Sequence, residues 1–225
     1  MKRLAAILVV FLAASACADD QVVLERGPLG PASYDVEVTA EGGSTDLREH
    51  RKASLRIDPQ GGGADFALRT EAGGLITAEL RRSDTGSVNL ERVRGVPVER
   101  AGQAELASLV GQLDPPLPRD PVRIGERWSS SRRIRTDTLL ATLRTQLGIA
   151  RFRRIASMDT AELEGKVTGR LNTTSSAGTL SGTLEGRTRI AWAVRAGRVV
   201  AADTTLIWTL SDGDQVTLMT RVRPR

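Results

Sequence analysis

The sequence predicts an α+β protein, mostly β, in which one strongly curved antiparallel sheet wraps around one or two helices. Short runs of alternating apolar and polar residues, separated by glycine turns, predict the strands. Two runs of leucines at helical spacing predict helices at residues 101–113 and 138–147. The third observation is a hairpin at residues 163–194, in which glycines and aliphatic residues share one face of each arm.

Five short strands are expected before the first helix. One row of alternating apolar residues defines the first strand: Tyr34, Val36, Val38 and Ala40. Later alternating runs centre on residues 53–57, 66–68, 76–80 and 88–90. The helix at 101–113 follows, and its apolar stripe consists of Leu106, Leu109, Val110 and Leu113. Because this stripe needs a partner, we expect the helix to lie on the sheet.

A proline-rich connector at residues 114–121 ends the first helix. After it we expect a strand at Trp128 and then the second helix at residues 138–147. Asp137 is the expected N-cap of that helix, and Gly148 is expected just past its last turn.

Three turns organise the remaining strands. Residues 158–160 are expected to turn the chain from a strand at 149–157 into the glycine hairpin. A three-residue loop at 195–197, with Gly197 at positive φ, would place Trp208 opposite Leu184. Asp212 and Gly213 are expected to form the last hairpin turn.

The glycine hairpin carries the candidate binding site. If residues 174–177 form a four-residue loop, Leu171 lies opposite Leu180 and Gly169 faces Gly182. The glycines then form furrows, which either line a ligand cavity or allow Trp208 to pack across them. The residues expected to line the cavity are Gly165, Val167, Gly169, Gly182, Leu184, Gly186, Trp192 and Trp208.

The first 17 residues have the organisation of an export signal. Lys2 and Arg3 form a positive end, and residues 4–14 form an apolar run too short to span a bilayer. The run ends in Ala14-Ser15-Ala16-Cys17, which resembles the lipobox of bacterial lipoproteins. That resemblance implies lipidation of Cys17 by diacylglycerol on its sulfur and often by an acyl chain such as palmitate on its amine. The alternative is an ordinary secretory signal that leaves Cys17 unmodified.

The expected organisation has three parts. Residues 1–16 are the signal peptide, and residues 17–33 are the lipidated N-terminus and a tether rich in proline and glycine. Residues 34–225 form a single β-rich domain with halves at 34–113 and 122–225. The resemblance implies an exported protein, anchored to the outer face of the plasma membrane or to the outer membrane.

Composition does not indicate a nucleic-acid partner but allows weak attraction to a membrane. The net charge of +5 falls to +3 when the two charges of Lys2 and Arg3 leave with the signal, and such a small surplus does not indicate nucleic-acid binding. It does allow weak attraction to anionic headgroups. Cys17 is the only cysteine, so no internal disulfide is expected.

Two arginine clusters stand out in the second half. The first contains Arg132, Arg133 and Arg135, and the second contains Arg151, Arg153 and Arg154. They belong either to solvated outer faces or to a basic rim that recognises anionic headgroups.

No pattern predicts an enzyme or a cofactor. His50 is the only histidine and lies in a charged run, where a surface role is expected. One histidine and one acylated cysteine do not make a zinc site, and Asp212-Gly213-Asp214 has the composition of a turn rather than a calcium loop. We therefore expect no catalytic residues, no metal ligands and no cofactor.

The arrangement of sheet and helices resembles the half-barrel of periplasmic lipoprotein carriers and mycobacterial lipid-binding lipoproteins. There a curved sheet covered by helices encloses an apolar cavity. The resemblance implies an anchored envelope lipoprotein that binds a lipid or another amphiphile. The alternative is a non-catalytic structural or protein-interaction module with a filled core, whose envelope partner the sequence does not specify.

Overall fold

Eleven strands form one curved antiparallel sheet, which confirms the predicted fold class. The computed structural model describes residues 21–27, 31–42, 47–60, 63–82, 88–95, 108–109, 111–135, 139–155, 157–175 and 178–225. The strands are β1 (Ala32–Gly42), β2 (Leu47–Gln60), β3 (Gly63–Thr70), β4 (Leu75–Arg82), β5 (Val88–Arg94), β6 (Arg127–Arg135), β7 (Leu139–Ile155), β8 (Met158–Ser175), β9 (Gly178–Ala193), β10 (Arg198–Leu210) and β11 (Gln215–Pro224). Cys17 and the predicted signal peptide lie outside the described residues.

The strand order is β5-β4-β3-β2-β1-β11-β10-β9-β8-β7-β6. Each half of the chain is a meander of neighbouring hairpins, and the pairing of β1 with β11 joins the two meanders. The edge strands of this sheet are therefore β5 and β6. In the chain they are separated by residues 95–126, which contain the proline-rich connector. Both predicted halves of the domain thus contribute to a single sheet.

One face of the sheet, here called the inner face, carries the core. The row predicted for β1 is buried, and on β11 Val216, Leu218, Thr220 and Val222 are buried in the same alternating pattern. The opposite face, called the outer face, carries most of the charged side chains, because neighbouring residues of a strand point to opposite faces.

Three segments cover the inner face. Residues 108–109 and 111–113 are helical and confirm the C-terminal part of the first predicted helix, while Leu106 and Val110 lie outside the described residues. Leu109 from this helical turn and Val122 from the segment before β6 are buried in the core, as is Leu24 from the N-terminal segment.

Among the residues that the structure describes, no helix is both long enough and apolar enough to cross a membrane.

Part of the predicted tether belongs to the folded domain. Val22 pairs with Val122 through two backbone hydrogen bonds of 2.8 and 2.9 Å. Gly27 donates its N–H to the carbonyl of Gly197 at 2.9 Å, and either glycine would clash with the other segment if it carried a Cβ. Residues 21–27 are therefore held against the sheet rather than acting as a spacer.

The second predicted helix, residues 138–147, is wrong, because β7 runs through this stretch. Ala141, Leu143, Leu147 and Ile149 are buried at strand periodicity, whereas Leu140 is exposed. Leu143 and Leu147, which are four residues apart, fit both a helix and a strand. Pairing with β6 and β8 on both sides decides in favour of the strand. Asp137, the expected N-cap, lies outside the described residues.

The predicted register of the glycine hairpin is also wrong, by two residues. Thr174 and Ser175 belong to β8 and pair with Thr179 and Gly178, and Leu171 lies opposite Gly182 instead of Leu180. Gly169 accordingly faces Leu184. The shift places a large side chain beside each missing one, which fills space that two facing glycines would leave empty.

The register between β9 and β10 is confirmed, with Trp208 opposite Leu184. Gly197 has the expected positive φ of 60°. The turn spans residues 194–197 rather than three residues, and a bulge between Val199 and Ala201 compensates for the extra one. The bulge also buries Val200 in a small apolar cluster with Ala191 and Ala193, separate from the main core.

Substitution of Gly165 by alanine tests how closely the strands approach each other. A Cβ at Gly165 would overlap the carbonyl of Gln146 on β7 and would lie 3.0 Å from the Cα of Leu147. We expect Gly165→Ala to lower the free energy of unfolding by about 1–3 kcal/mol in urea titrations. Gly111→Ala is the matched control, because a Cβ there meets nothing within 4 Å and alanine favours a helix. Equal stability of the two variants would contradict the close approach.

Candidate functional site

The eight residues predicted to bind a ligand all lie on β8, β9 and β10, within the core sheet. The side chains of Val167, Leu184, Trp192 and Trp208 are buried. Neighbouring strands cover three of the four glycines on the inner face. A Cβ at Gly182 would meet the indole of Trp208, one at Gly169 would lie 2.9 Å from Leu143, and one at Gly186 would lie 2.9 Å from Leu206.

The predicted furrows are therefore filled by side chains at these positions. This is the packing arrangement that the sequence offered as the alternative, with an indole lying across a strand glycine. A role of the eight residues in ligand binding stays a prediction.

A row of buried hydroxyl groups, missed by the sequence analysis, crosses the inner face. Thr188, Thr204 and Thr220 occupy paired positions on β9, β10 and β11, and the first two hydroxyls lie 2.7 Å apart. From the helical turn, the hydroxyl of Ser108 donates to Thr220 at 3.3 Å, and the side-chain amide of Gln112 donates to Ser108 at 3.2 Å. The even spacing of the three threonines, 16 residues in each step, was the available signal.

These hydrogen bonds fix the helical turn on the sheet, because a shift would leave buried hydroxyls without partners. Four buried polar atoms have no hydrogen-bond partner in the described structure: on the inner face the indole nitrogens of Trp192 and Trp208 and the side-chain oxygen of Gln112, and on the outer face Oε1 of Glu162. The inner face is thus more polar than its apolar sequence pattern indicates.

A pocket of about 360 Å³ opens where the connector and the helical turn meet β6 and β7. Leu117 of the connector and Leu143 of β7 supply apolar lining, and Leu143 is also the side chain that covers Gly169. The full lining is Arg26, Gly111, Pro116, Leu117, Pro118, Arg119, Ser130, Ser131, Arg132, Arg133, Leu143 and Thr145.

A buried carboxylate organises the basic side of this pocket. Asp114, at the end of the helical turn, forms ion pairs with Arg26 at 2.8 Å and with Arg132. Arg26 also donates to the carbonyl of Pro115 at 3.0 Å. Together, Arg26, Asp114 and Arg132 carry a net positive charge, because one carboxylate faces two guanidinium groups.

The connector is fixed in place by Trp128. Its indole N–H donates to the carbonyl of Pro116 at 2.6 Å, which ties the polyproline segment to the first residues of β6. The pocket therefore has rigid walls. Arg119 and Arg133 are exposed at its mouth, and no ion pair with a carboxylate is found for either one among the residues that the structure describes.

The second arginine cluster is separate from the first. Arg151 and Arg153 lie on β7 beyond the end of β6, and they bind Glu162 of β8 at 2.8 and 3.1 Å. Along β7, Arg151 is eight residues from Leu143, which is the residue paired with Arg132, so the clusters are about 25 Å apart. The two arginine clusters therefore do not form a single basic rim.

Glu162 is a buried carboxylate on the outer face. Its side chain is only 1% exposed, and Arg189 from β9 lies 3.2 Å from it as a third cation. The hydrogen bond from Arg151, helped by the charges of Arg153 and Arg189, lowers the pKa of Glu162 below its ordinary value, although burial acts in the opposite direction. The same contact raises the pKa of Arg151.

Further ion pairs lie on the outer face. His50 lies 2.9 Å from Glu37, and Arg221 lies 3.2 Å from the same carboxylate, beside an outer cleft of about 680 Å³. Within the described ranges, no three histidine, cysteine or carboxylate side chains come together as a metal site.

Comparisons with known proteins find only distant structural similarity. No protein-family model matches the chain, and no curated protein matches it. One similar solved structure is a candidate lipoprotein from Parabacteroides distasonis, with a TM-score of 0.34 and 12% identity over 86% of this chain and 95% of that chain. Another is a candidate outer membrane lipoprotein-sorting protein domain from Vibrio parahaemolyticus, with a TM-score of 0.26 and 10% identity over 86% of each chain. Similarity this weak carries no argument about the function of this chain.

Arg151, Arg153 and Arg189 around Glu162 are here called the arginine cage. Replacing Glu162 by glutamine tests this cage through the pH dependence of the free energy of unfolding. Because the fold lowers the pKa of Glu162, its ionised form stabilises the protein above the ordinary glutamate value of 4.5. This contribution disappears as the pH falls through the lowered pKa. We expect Glu162→Gln to cost about 1 kcal/mol at neutral pH, since the arginines can regain water, and to cost progressively less in acid.

The measurement is denaturant unfolding of both proteins between pH 3 and pH 7. Glu164→Gln is the matched control, because Glu164 is exposed and pairs with Arg189 at 2.7 Å on the surface. A pH-independent difference between Glu162→Gln and the unsubstituted protein would contradict the cage.

Proposed function

We propose that this chain is an exported lipoprotein, anchored through Cys17, whose β-rich domain binds an amphiphile with an anionic headgroup. The proposed site is the pocket between the connector, the helical turn and strands β6 and β7. The observation that carries the proposal is that one pocket combines apolar side chains, Leu117 and Leu143, with exposed arginines at its mouth.

The pocket has the size of a small-molecule site. Its volume of about 360 Å³ lies near the lower end of the range for ligand pockets, roughly 300–1,000 Å³. Leu117 and Leu143 offer apolar surface to an acyl or isoprenoid chain. Arg119 and Arg133 can donate hydrogen bonds to a phosphate or carboxylate, and the rigid walls reduce the entropy lost on binding.

A second function is supported by a different observation. Side chains cover Gly169, Gly182 and Gly186, as expected for a structural or protein-interaction module with a filled core. In that case the partner is another envelope protein that contacts the outer face. We propose no catalytic role under either function, and either function is compatible with the outer face of the plasma membrane or with the outer membrane.

The anchor is tested by replacing Cys17 with serine in the full chain. We expect the unsubstituted protein to fractionate with membranes and to incorporate labelled palmitate. Cys17→Ser should abolish the label and move most of the protein to the soluble or unprocessed fraction, because the chain has no second cysteine. An N-terminal peptide with the mass of unmodified cysteine would refute the anchor.

The pocket is tested by native mass spectrometry of the chain from Ala18 onward, purified from bacteria. We expect a bound amphiphile with the unsubstituted protein. Gly111→Leu should reduce its occupancy at least about tenfold, because Gly111 lines the pocket and a Cβ there meets open space. The double variant Arg119→Glu/Arg133→Glu should have the same effect by repelling an anionic headgroup.

The matched control is Arg48→Glu/Arg69→Glu, which reverses two exposed arginines on β2 and β3, strands that contribute no residue to the pocket lining. It should retain the ligand. Absence of any ligand from the unsubstituted protein, under conditions that preserve non-covalent complexes, would favour the filled module. Equal loss from the control and the pocket variants would show that only net charge matters.

A further inference from the structure

One end of the sheet lies next to the expected lipid anchor. The end of β7 and the beginning of β6 meet there, and two isolated bridges connect the flanking segments to this end. Val22 pairs with Val122, and Ile124 pairs with Ile149 of β7. This end is called the anchor-proximal end.

The distance from the anchor to the folded domain is short. Gln21 is the first described residue, four positions after Cys17, and a fully extended chain of that length covers about 14 Å. Since Val22 is fixed by its hydrogen bonds to Val122, an acylated Cys17 would hold the anchor-proximal end within that distance of the bilayer.

Three large apolar side chains are exposed at this end. Val23, next to the first bridge, is 46% exposed, Ile124 in the second bridge is 53% exposed, and Phe152 is 44% exposed. Phe152 lies three residues beyond Ile149 on β7, about 10 Å along the strand. Single exposed apolar residues are common, but these three are grouped on the part of the domain that the tether brings to the lipid.

The charges around these side chains favour an anionic surface. In the two segments that carry Ile124 and Phe152, residues 119–127 and 151–159, six arginines accompany three carboxylates, and Glu162 of β8 pairs with two of these arginines. The arginines are Arg119, Arg123, Arg127, Arg151, Arg153 and Arg154. Aliphatic and aromatic side chains surrounded by arginine are typical of surfaces that insert shallowly into a bilayer of anionic lipids.

We propose that the anchor-proximal end is a second membrane contact, which docks on an anionic bilayer with Val23, Ile124 and Phe152 at the headgroup level. This rests on the proposed anchor at Cys17 and adds an orientation to it. The strands then stand with one end on the membrane, and the opposite end of the sheet points away from it.

The test uses the full chain, processed and lipidated in bacteria and reconstituted into vesicles with about 30% anionic phospholipid. Single cysteines introduced at Ile124 or Phe152 carry an environment-sensitive fluorophore, which is selective because Cys17 is the only native cysteine and is acylated. Matched controls are cysteines at Leu75 and Leu140, which are 42% and 40% exposed and lie at the opposite end of the sheet.

Spin-labelled lipids should quench the probes at positions 124 and 152 at least about twofold more than the probes at 75 and 140. In neutral vesicles this difference should decrease. Arg127→Glu/Arg154→Glu should decrease it as well, whereas Arg144→Glu/Arg170→Glu should leave it unchanged. The same probes control for folding. At each of the four positions, the emission in detergent must be the same in the charge-reversal variants as in the protein without them.

Equal quenching at both ends in anionic vesicles, with Cys17 shown by mass to be acylated, would overturn this proposal and leave the anchor intact. Stronger quenching at positions 75 and 140 would overturn it in favour of the opposite orientation. An unmodified Cys17 would overturn both the anchor and this proposal.

Discussion

The close approach of neighbouring strands at the glycines of β8 and β9 is the constraint on which the rest of this structure depends. At Gly165 and Gly186, the backbone of the adjacent strand occupies the space in which a Cβ would lie. Glycine is tolerated inside strands mainly where a bend or a close contact requires it. Here four glycines in two paired strands let the sheet curve, and the curvature brings the helical turn, the connector and the N-terminal segment into one core.

Among the described residues, folding also buries two carboxylates, and each is held by arginine side chains. Asp114 is held by two arginines at the connector, and Glu162 is held by three on the outer face. A buried carboxylate with too few partners would be protonated or expelled, because desolvation of a charge is costly. These two carboxylates therefore engage five arginines, whereas the exposed Arg119 and Arg133 remain available to an anionic ligand.

Much of the fold follows from the sequence because strand periodicity is a local signal. The five strands of the first half and the register of Trp208 against Leu184 were predicted from alternation and turn residues alone. The residues of β7 were not predicted to form a strand, because leucines four residues apart fit both the helical and the strand period, and only pairing with two neighbouring strands separates the alternatives. The glycine hairpin failed by two residues because its loop length, and hence its register, has no strong local signal.

The candidate pocket could not be predicted from the sequence, for a different reason. Arg26, Asp114 and Arg132 are far apart in the chain, and a carboxylate next to prolines has the composition of an ordinary turn. The sequence did identify Arg132 and Arg133 as unusual. It left both arginine clusters as either solvated outer faces or a basic rim, because nothing local shows that one cluster belongs to the pocket and the other surrounds Glu162.

The pairing of β1 with β11 has a consequence for how the molecule is made. Residues 34 and 224 are partners at the middle of the sheet, so the central ladder joins segments from opposite ends of the domain. Contacts between such distant segments form slowly, since a long loop must close first. Each meander can form early with its own hairpins, but both keep an uncovered strand edge until synthesis is complete. During that interval the nascent protein needs protection from association with other chains, such as a chaperone supplies.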